Sequence, residues 1–206
     1  MKSTLTLVAV AGLASAAAAQ SGSLSIVASA STVFTTGAAA TVTLAVYGDA
    51  DFGTAISGGG FGLSAAGGAG IVDGMTGAAA AWGALGFQDL GHNADGNYNG
   101  LIFGQLIFPP FIPADAASVL GNGAVLLGNI SVSIGADTNG VIDWSTVGGI
   151  GDFDLEIFDE VSGAFTALSG AAVSHGAASV NVVSIPAPSA MALLGLGGLV
   201  AGRRRR

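Results

Sequence analysis

The sequence predicts an all-β fold, an antiparallel β-sandwich, set between an N-terminal signal peptide and a C-terminal short hydrophobic helix. Three observations carry this expectation. Several segments alternate apolar and polar residues with period two, the mark of strands with one buried face. Turn dipeptides such as Asp95-Gly96, Asn122-Gly123 and Asn139-Gly140 separate them. The chain has 35 Gly and only 9% charged residues, against about 25% in a typical soluble domain. Such a composition suits short strands and tight turns better than long helices.

From the start of the chain, residues 1–19 read as a secretory signal peptide. Lys2 supplies a positive n-region, residues 5–13 an apolar h-region, and residues 14–19 small side chains. Ala17 and Ala19 fit an A-x-A cleavage site before Gln20, which makes signal peptidase an expected partner. Residues 20–184 then form the ectodomain, a length that corresponds to one domain.

Within the ectodomain, strands are expected at 24–28, 40–47, 61–64, 101–108, 126–134, 141–144, 152–157, 164–168 and 179–183. In the second of these, Val42, Leu44 and Val46 share a face opposite Thr41 and Thr43. Ile130, Val132 and Ile134 likewise oppose Ser131 and Ser133. In residues 152–157, Phe153, Leu155 and Ile157 are expected inward, and Asp152, Asp154 and Glu156 outward as a solvated face that discourages edge pairing. The Ala-rich stretch 77–85 is expected as a short helix, and the Gly- and Ala-rich stretch 57–70 as partly loop. No fixed repeat period occurs, so a solenoid or propeller is not supported. The order of segments resembles a cohesin-type or carbohydrate-binding-module sandwich. That resemblance bears on fold alone.

The C-terminal segment, 185–206, has three parts. Ile185-Pro186-Ala187-Pro188-Ser189 continues neither strand nor helix, because two prolines fix φ and remove donors. Residues 190–202 carry no polar side chain, and Arg203, Arg204, Arg205 and Arg206 follow. As a helix the apolar run spans about 20 Å, short of the roughly 30 Å hydrocarbon core of a bilayer. Transient inner-membrane insertion fits it better than permanent anchoring, with the arginines held on the cytoplasmic side. The pattern resembles the PEP-CTERM sorting signal, also known as the ice-binding protein C-terminal domain. The matching positions are Pro186, Pro188, the apolar run and the four arginines; Ala187 departs from the family's Glu. The resemblance implies processing by an exosortase, a membrane protease-transpeptidase, and a final location at the cell surface, outer membrane or extracellular matrix. It says nothing about the ectodomain. A sortase Leu-Pro-x-Thr-Gly motif is absent, and a GPI signal would not end in four arginines.

Charge placement sharpens the function classes. Lys2 and Arg203 to Arg206 are the only basic residues, while all 13 acidic residues lie from Asp49 to Glu160. The ectodomain therefore has a formal charge of −13 and nothing to hold a phosphate. Nucleic acid is excluded as a partner, and anionic lipid headgroups with it. Cations and neutral polymers such as polysaccharide stay open. With no Cys, disulfides and thiolate metal sites are excluded, and the core alone must hold the exported domain together.

The densest polar stretch is residues 89–100. Asn93, Asp95, Asn97 and Asn99 present side-chain oxygens at alternate positions, as calcium loops do. An EF-hand is not matched, since Gly91 stands at the first ligand position and no Glu occurs at the twelfth. A polar loop with Asx turns is the alternative. Asp137-Thr138-Asn139-Gly140 with Asp143 reads as a hairpin turn or a second weak cation site. Trp82, Trp144, Tyr47 and Tyr98 are the rings available for a glycan platform; Trp144 reads as core, and Tyr98, in the polar loop, as the exposed ring. His92 and His175 are the only histidines, and neither Gly-x-Ser-x-Gly nor His-Glu-x-x-His occurs. No catalytic residue and no cofactor beyond calcium is expected. The expected function is a non-catalytic surface or matrix protein, structural or adhesive in an exopolysaccharide layer. A carbohydrate- or calcium-binding module is the alternative, and a secreted hydrolase with an unidentified carboxylate pair comes last.

Overall fold

The computed structural model describes residues 20–107, 116–149 and 154–185, and these form an all-β sandwich. The first sheet has the order β12 (Val173–His175), β1 (Gly22–Ala28), β3 (Ala40–Ala50), β8 (Val125–Ile134), β5 (Val72–Ala79). The second runs β11 (Ala164–Leu168), β10 (Leu155–Asp159), β4 (Ala55–Ala66), β9 (Gly140–Gly148), β13 (Ala177–Ser184), β2 (Thr32–Thr35). Two further strands, β6 (Gln88–Asp89) and β7 (Tyr98–Gly104), extend the second sheet from the other edge of β4. Pairing is antiparallel except for β1 with β12 and β13 with β2.

The period-two reading explains the core. Val42, Leu44 and Val46 of β3 and Ile130, Val132 and Ile134 of β8 are all fully buried. Their registered partners make layers across the sheet, Val42 opposite Val132 and Leu44 opposite Ile130. Trp144 from β9 fills the space between the sheets, fully buried, its indole N–H donating to the Gly96 carbonyl at 3.2 Å. Trp82 packs edge-on to Phe103, ring centroids 5.6 Å apart, and donates to the Leu126 carbonyl at 2.8 Å. Both indoles thus satisfy their one donor, as burial requires.

One local expectation is refined and two are corrected. The glycine-rich stretch 57–70, expected as partly loop with a strand at 61–64, is loop only over 67–70; residues 57–66 belong to β4, the strand around which the second sheet is built. One edge of β4 pairs with β7; the other pairs with β10 at Ala55 to Gly59 and with β9 from Phe61 to Ala66. The sheet forks there. Glycine is required because backbones close in from both sides: a Cβ at Gly59 would sit against the Asp154 carbonyl, and one at Gly62 would lie 3.0 Å from the Tyr98 carbonyl. The expected helix at 77–85 is instead the end of β5 followed by a single 3-10 turn at Ala81–Gly83. Nine residues with two glycines do not cover the cost of helix nucleation, whereas Gly77, Ala78 and Ala79 find ladder partners on β8. Finally, Asp154 does not face solvent. It is 5% exposed, and its carboxylate accepts from the Gly149 N–H at 3.1 Å, closing the loop between β9 and β10. Leu155 and Ile157 do face the core; Asp152 and Phe153 lie outside the described residues.

β1 starts where β3 ends (Gly22 opposite Ala50), and β13 ends beside the end of β2 (Ser184 opposite Thr35). The short connection from β3 to β4 places Gly22 and Ala55 at one end of the sandwich. The run of β4 to Ala66, opposite Asp143, and of Gly140, opposite Val182, places Ser184 at the other. The chain therefore enters and leaves at opposite ends. Among the described residues no helix is long and apolar enough to cross a membrane. The tail residues Pro186, Ala187, Pro188 and Arg203 to Arg206, like Ala17 and Ala19, lie outside the described residues; Gln20 is described and exposed.

Candidate functional site

The polar stretch 89–100 is a knot of internal hydrogen bonds. Asp89 on β6 is its centre. One carboxylate oxygen accepts from the Tyr98 hydroxyl at 2.7 Å and from the Gly91 N–H at 2.8 Å; the other accepts from the Gly77 N–H of β5 at 2.8 Å. Partial burial works to raise the Asp89 pKa, but the Tyr98 hydroxyl and the two backbone donors outweigh it and hold the carboxyl below its ordinary range. Tyr98 is pushed upward by burial and by the adjacent carboxylate, so it stays a neutral donor. The ring is 2% exposed. Tyr98 is thus a core residue and not the exposed sugar platform expected from its polar neighbours.

The four calcium-loop positions are used differently from one another. Asp95 accepts from the Asn97 N–H at 3.0 Å and from its amide nitrogen at 2.6 Å. Asn97 in turn accepts the Ala65 N–H of β4 at 2.7 Å, which ties the loop to the sheet. Asn93 enters through its backbone, bonding Asn97 and Gly96, and the Asn99 side chain donates to the Leu90 carbonyl at 3.3 Å. The structure brings Asp95 and Asn97 together and spends their oxygens on N–H donors. Among the described residues no group of three or more His, Asp or Glu side chains is placed to hold a metal ion. The second weak cation candidate is a structural turn. Asp137 sits at φ 57° and accepts from the Gly37 N–H at 2.9 Å, Thr138 donates to the Gly135 carbonyl at 2.8 Å, and Asn139 accepts from the Ser184 N–H.

On the outer face of the first sheet the hydroxyls stand in register. Thr41 lies opposite Ser133, and Ser131 lies between Thr43 and Thr76. Thr41, Thr76, Ser131 and Ser133, with Met75 and His92, line a shallow trough of about 240 Å³ that contains no carboxylate. The alternation of Thr41/Thr43 and Ser131/Ser133 was visible in the sequence. That β3 and β8 are neighbours was not, so the trough itself could not be read. His92 Nδ1 lies 3.2 Å from the Asn93 carbonyl, outside any nucleophile pairing; His175 Nδ1 lies 3.3 Å from the Thr146 hydroxyl.

With this geometry in hand, comparison with known proteins gives likenesses of fold only. No family model and no curated protein matches the chain. Among solved structures it is similar to the seventh ScaB type I cohesin of Pseudobacteroides cellulosolvens, at 15% identity over 82% of this chain and 95% of that one, TM-score 0.48. It is similar also to the sixth cohesin of scaffoldin B of Acetivibrio cellulolyticus, solved with a dockerin, at 14% identity over 80% and 99%, TM-score 0.42. A type I cohesin–dockerin complex of Clostridium thermocellum gives 9% identity over 79% and 95%, TM-score 0.44. At such identities these likenesses concern the course of a β-sandwich chain and not its ligands.

Proposed function

We propose that the chain is an exported, non-catalytic surface or matrix protein, sorted through a PEP-CTERM-like tail by an exosortase and structural or adhesive in an exopolysaccharide layer. One observation carries the reading: every Lys and Arg lies in the two end segments, and an acidic sandwich lies between them. The strands begin at Gly22, just past the expected cleavage before Gln20, and end at Ser184, just before Pro186. The core among the described residues runs from Leu24 to Val182, within the expected ectodomain boundaries. Lys2 and the arginine cluster favour the cytoplasmic face, and the acidic body between them is the part translocated.

Cell fractionation tests this. The protein is expected in the envelope or medium, and deletion of residues 186–206 is expected to shift it from envelope to soluble export. Retention in the cytosol with both end segments intact overturns the reading.

A second reading, a carbohydrate-binding module, is favoured by the uncharged hydroxyl trough around Thr41, Thr76, Ser131 and Ser133. A Ser131→Glu variant should then lose retention on neutral polysaccharide gels while its fold is kept; equal retention removes this reading.

A further inference from the structure

The outer face of the second sheet carries an apolar patch at the end where the chain leaves the sandwich. β2 and β13 pair with Phe34 opposite Val183, while their neighbours Val33 and Val182 face the core. Phe34 and Val183 therefore point outward, and Ile185 continues their parity, its N–H donating to the Thr35 carbonyl at 3.1 Å. Val141, on the adjacent β9, lies opposite Asn181 on the same face. Phe34 is 58% exposed, Val141 50% and Ile185 44%. Four carboxylates lie at this end: Asp137 is engaged by the Gly37 N–H and Asp95 by the Asn97 N–H, Asp73 begins β5, and exposed Asp143 stands two residues from Val141 on the same face. Asp49, Asp51, Asp159 and Glu160 all lie at the opposite end, where β3 finishes and the β10–β11 hairpin turns.

Chain length says what this patch meets. From Ile185 to Ala190, where the apolar run begins, are five residue steps, at most about 18 Å. The polar layer of one leaflet is roughly 5–7 Å thick. With Ala190 at the hydrocarbon boundary, Ile185 is held within about 12 Å of the bilayer surface, and Phe34, one strand over and opposite Val183, lies about 8 Å from it. The apolar run is also too short for the bilayer, and such a mismatch draws flanking residues inward.

We propose that Phe34, Val141, Val183 and Ile185 form a membrane-contact surface that rests on the interface of a zwitterionic bilayer while the apolar run 190–202 is inserted. The inference rests on the reading of that run as a transient membrane insert. The attraction is apolar, since the domain has no cation to offer an anionic headgroup.

The test uses residues 20–206 with an environment-sensitive dye at Asn181→Cys, beside the patch, or at Ser162→Cys, at the far end; the chain has no other Cys. The probe is a phosphatidylcholine vesicle with brominated acyl chains. The expected result is co-flotation of both, with the dye at position 181 quenched several-fold more than the dye at position 162. The Phe34→Ser, Ile185→Ser double variant, with an unchanged circular dichroism spectrum, should lose that difference. Flotation with equal quenching at both positions overturns the contact surface and leaves the tail reading standing. Failure to float overturns the tail reading and the contact surface with it.

Discussion

Asp89 and Tyr98 make one half-buried hydrogen bond that fixes the polar loop to two strands. Removing the hydroxyl with Tyr98→Phe leaves Asp89 with its two backbone donors, and the expected cost is about 1.5–3 kcal/mol, the range for a hydrogen bond to a charged group, readable by urea denaturation. The carboxylate adds a pH dependence of known sign. The folded-state pKa of Asp89 is lowered, so its contribution is fully present above its unfolded pKa, near 3.9, and is lost as pH falls through the lower folded value. Melting curves should therefore decline below about pH 4, and Asp89→Asn should flatten that acid limb. An unaltered limb in the variant would show that other carboxylates set it. Asp95 and Asn97 face a similar account. Their oxygens already accept from N–H groups, so the expected melting temperature is the same in chelator and in calcium at equal ionic strength; a rise with calcium would mean that the loop reorganises around an ion. None of this was legible in residues 89–100, because a Tyr between two Asn reads as exposed until the strand beneath it is known.

The elements that the sequence made plain are those whose side chains alternate. Residues 40–47 and 126–134 show their buried face by themselves, and both are strands with that face inward. Of β4 only residues 61–64 were read as strand, for a physical reason: the role of its first half depends on what it lacks. Glycine has poor strand propensity, and only the approach of β7 and β10 explains why Ser57 to Gly60 must be nearly bare. Gly59→Ala puts a methyl group against the Asp154 carbonyl and 2.9 Å from the Phe103 ring. The expected cost is about 1–3 kcal/mol, or about 2–4 °C of melting temperature per kcal/mol for a domain of this size. Gly37→Ala is the contrast. It has open space around it but a φ of 62°, so its smaller cost is conformational. Equal melting temperatures for Gly59→Ala and the parent would mean that the fork between β9 and β10 is looser than the structure shows.

The whole molecule combines an acidic body with cationic ends. With no Lys or Arg from Ser3 to Gly202, the body cannot pair its carboxylates with side-chain cations of that kind and repels itself. Its melting temperature should rise between about 10 mM and 1 M salt as the Debye length falls from about 30 Å to 3 Å. The proposed domain boundaries predict that residues 20–185 expressed alone melt in one cooperative transition; a broad or multi-step melt would contradict them. The ligand of the ectodomain was not legible, because a surface is assembled from strands distant in sequence. Intact mass spectrometry of the protein taken from its native envelope tests the central claim most directly. The expected mass begins at Gln20 and lacks the arginine terminus, with processing near Pro188. A single species of 206 residues, Met1 to Arg206, would contradict it.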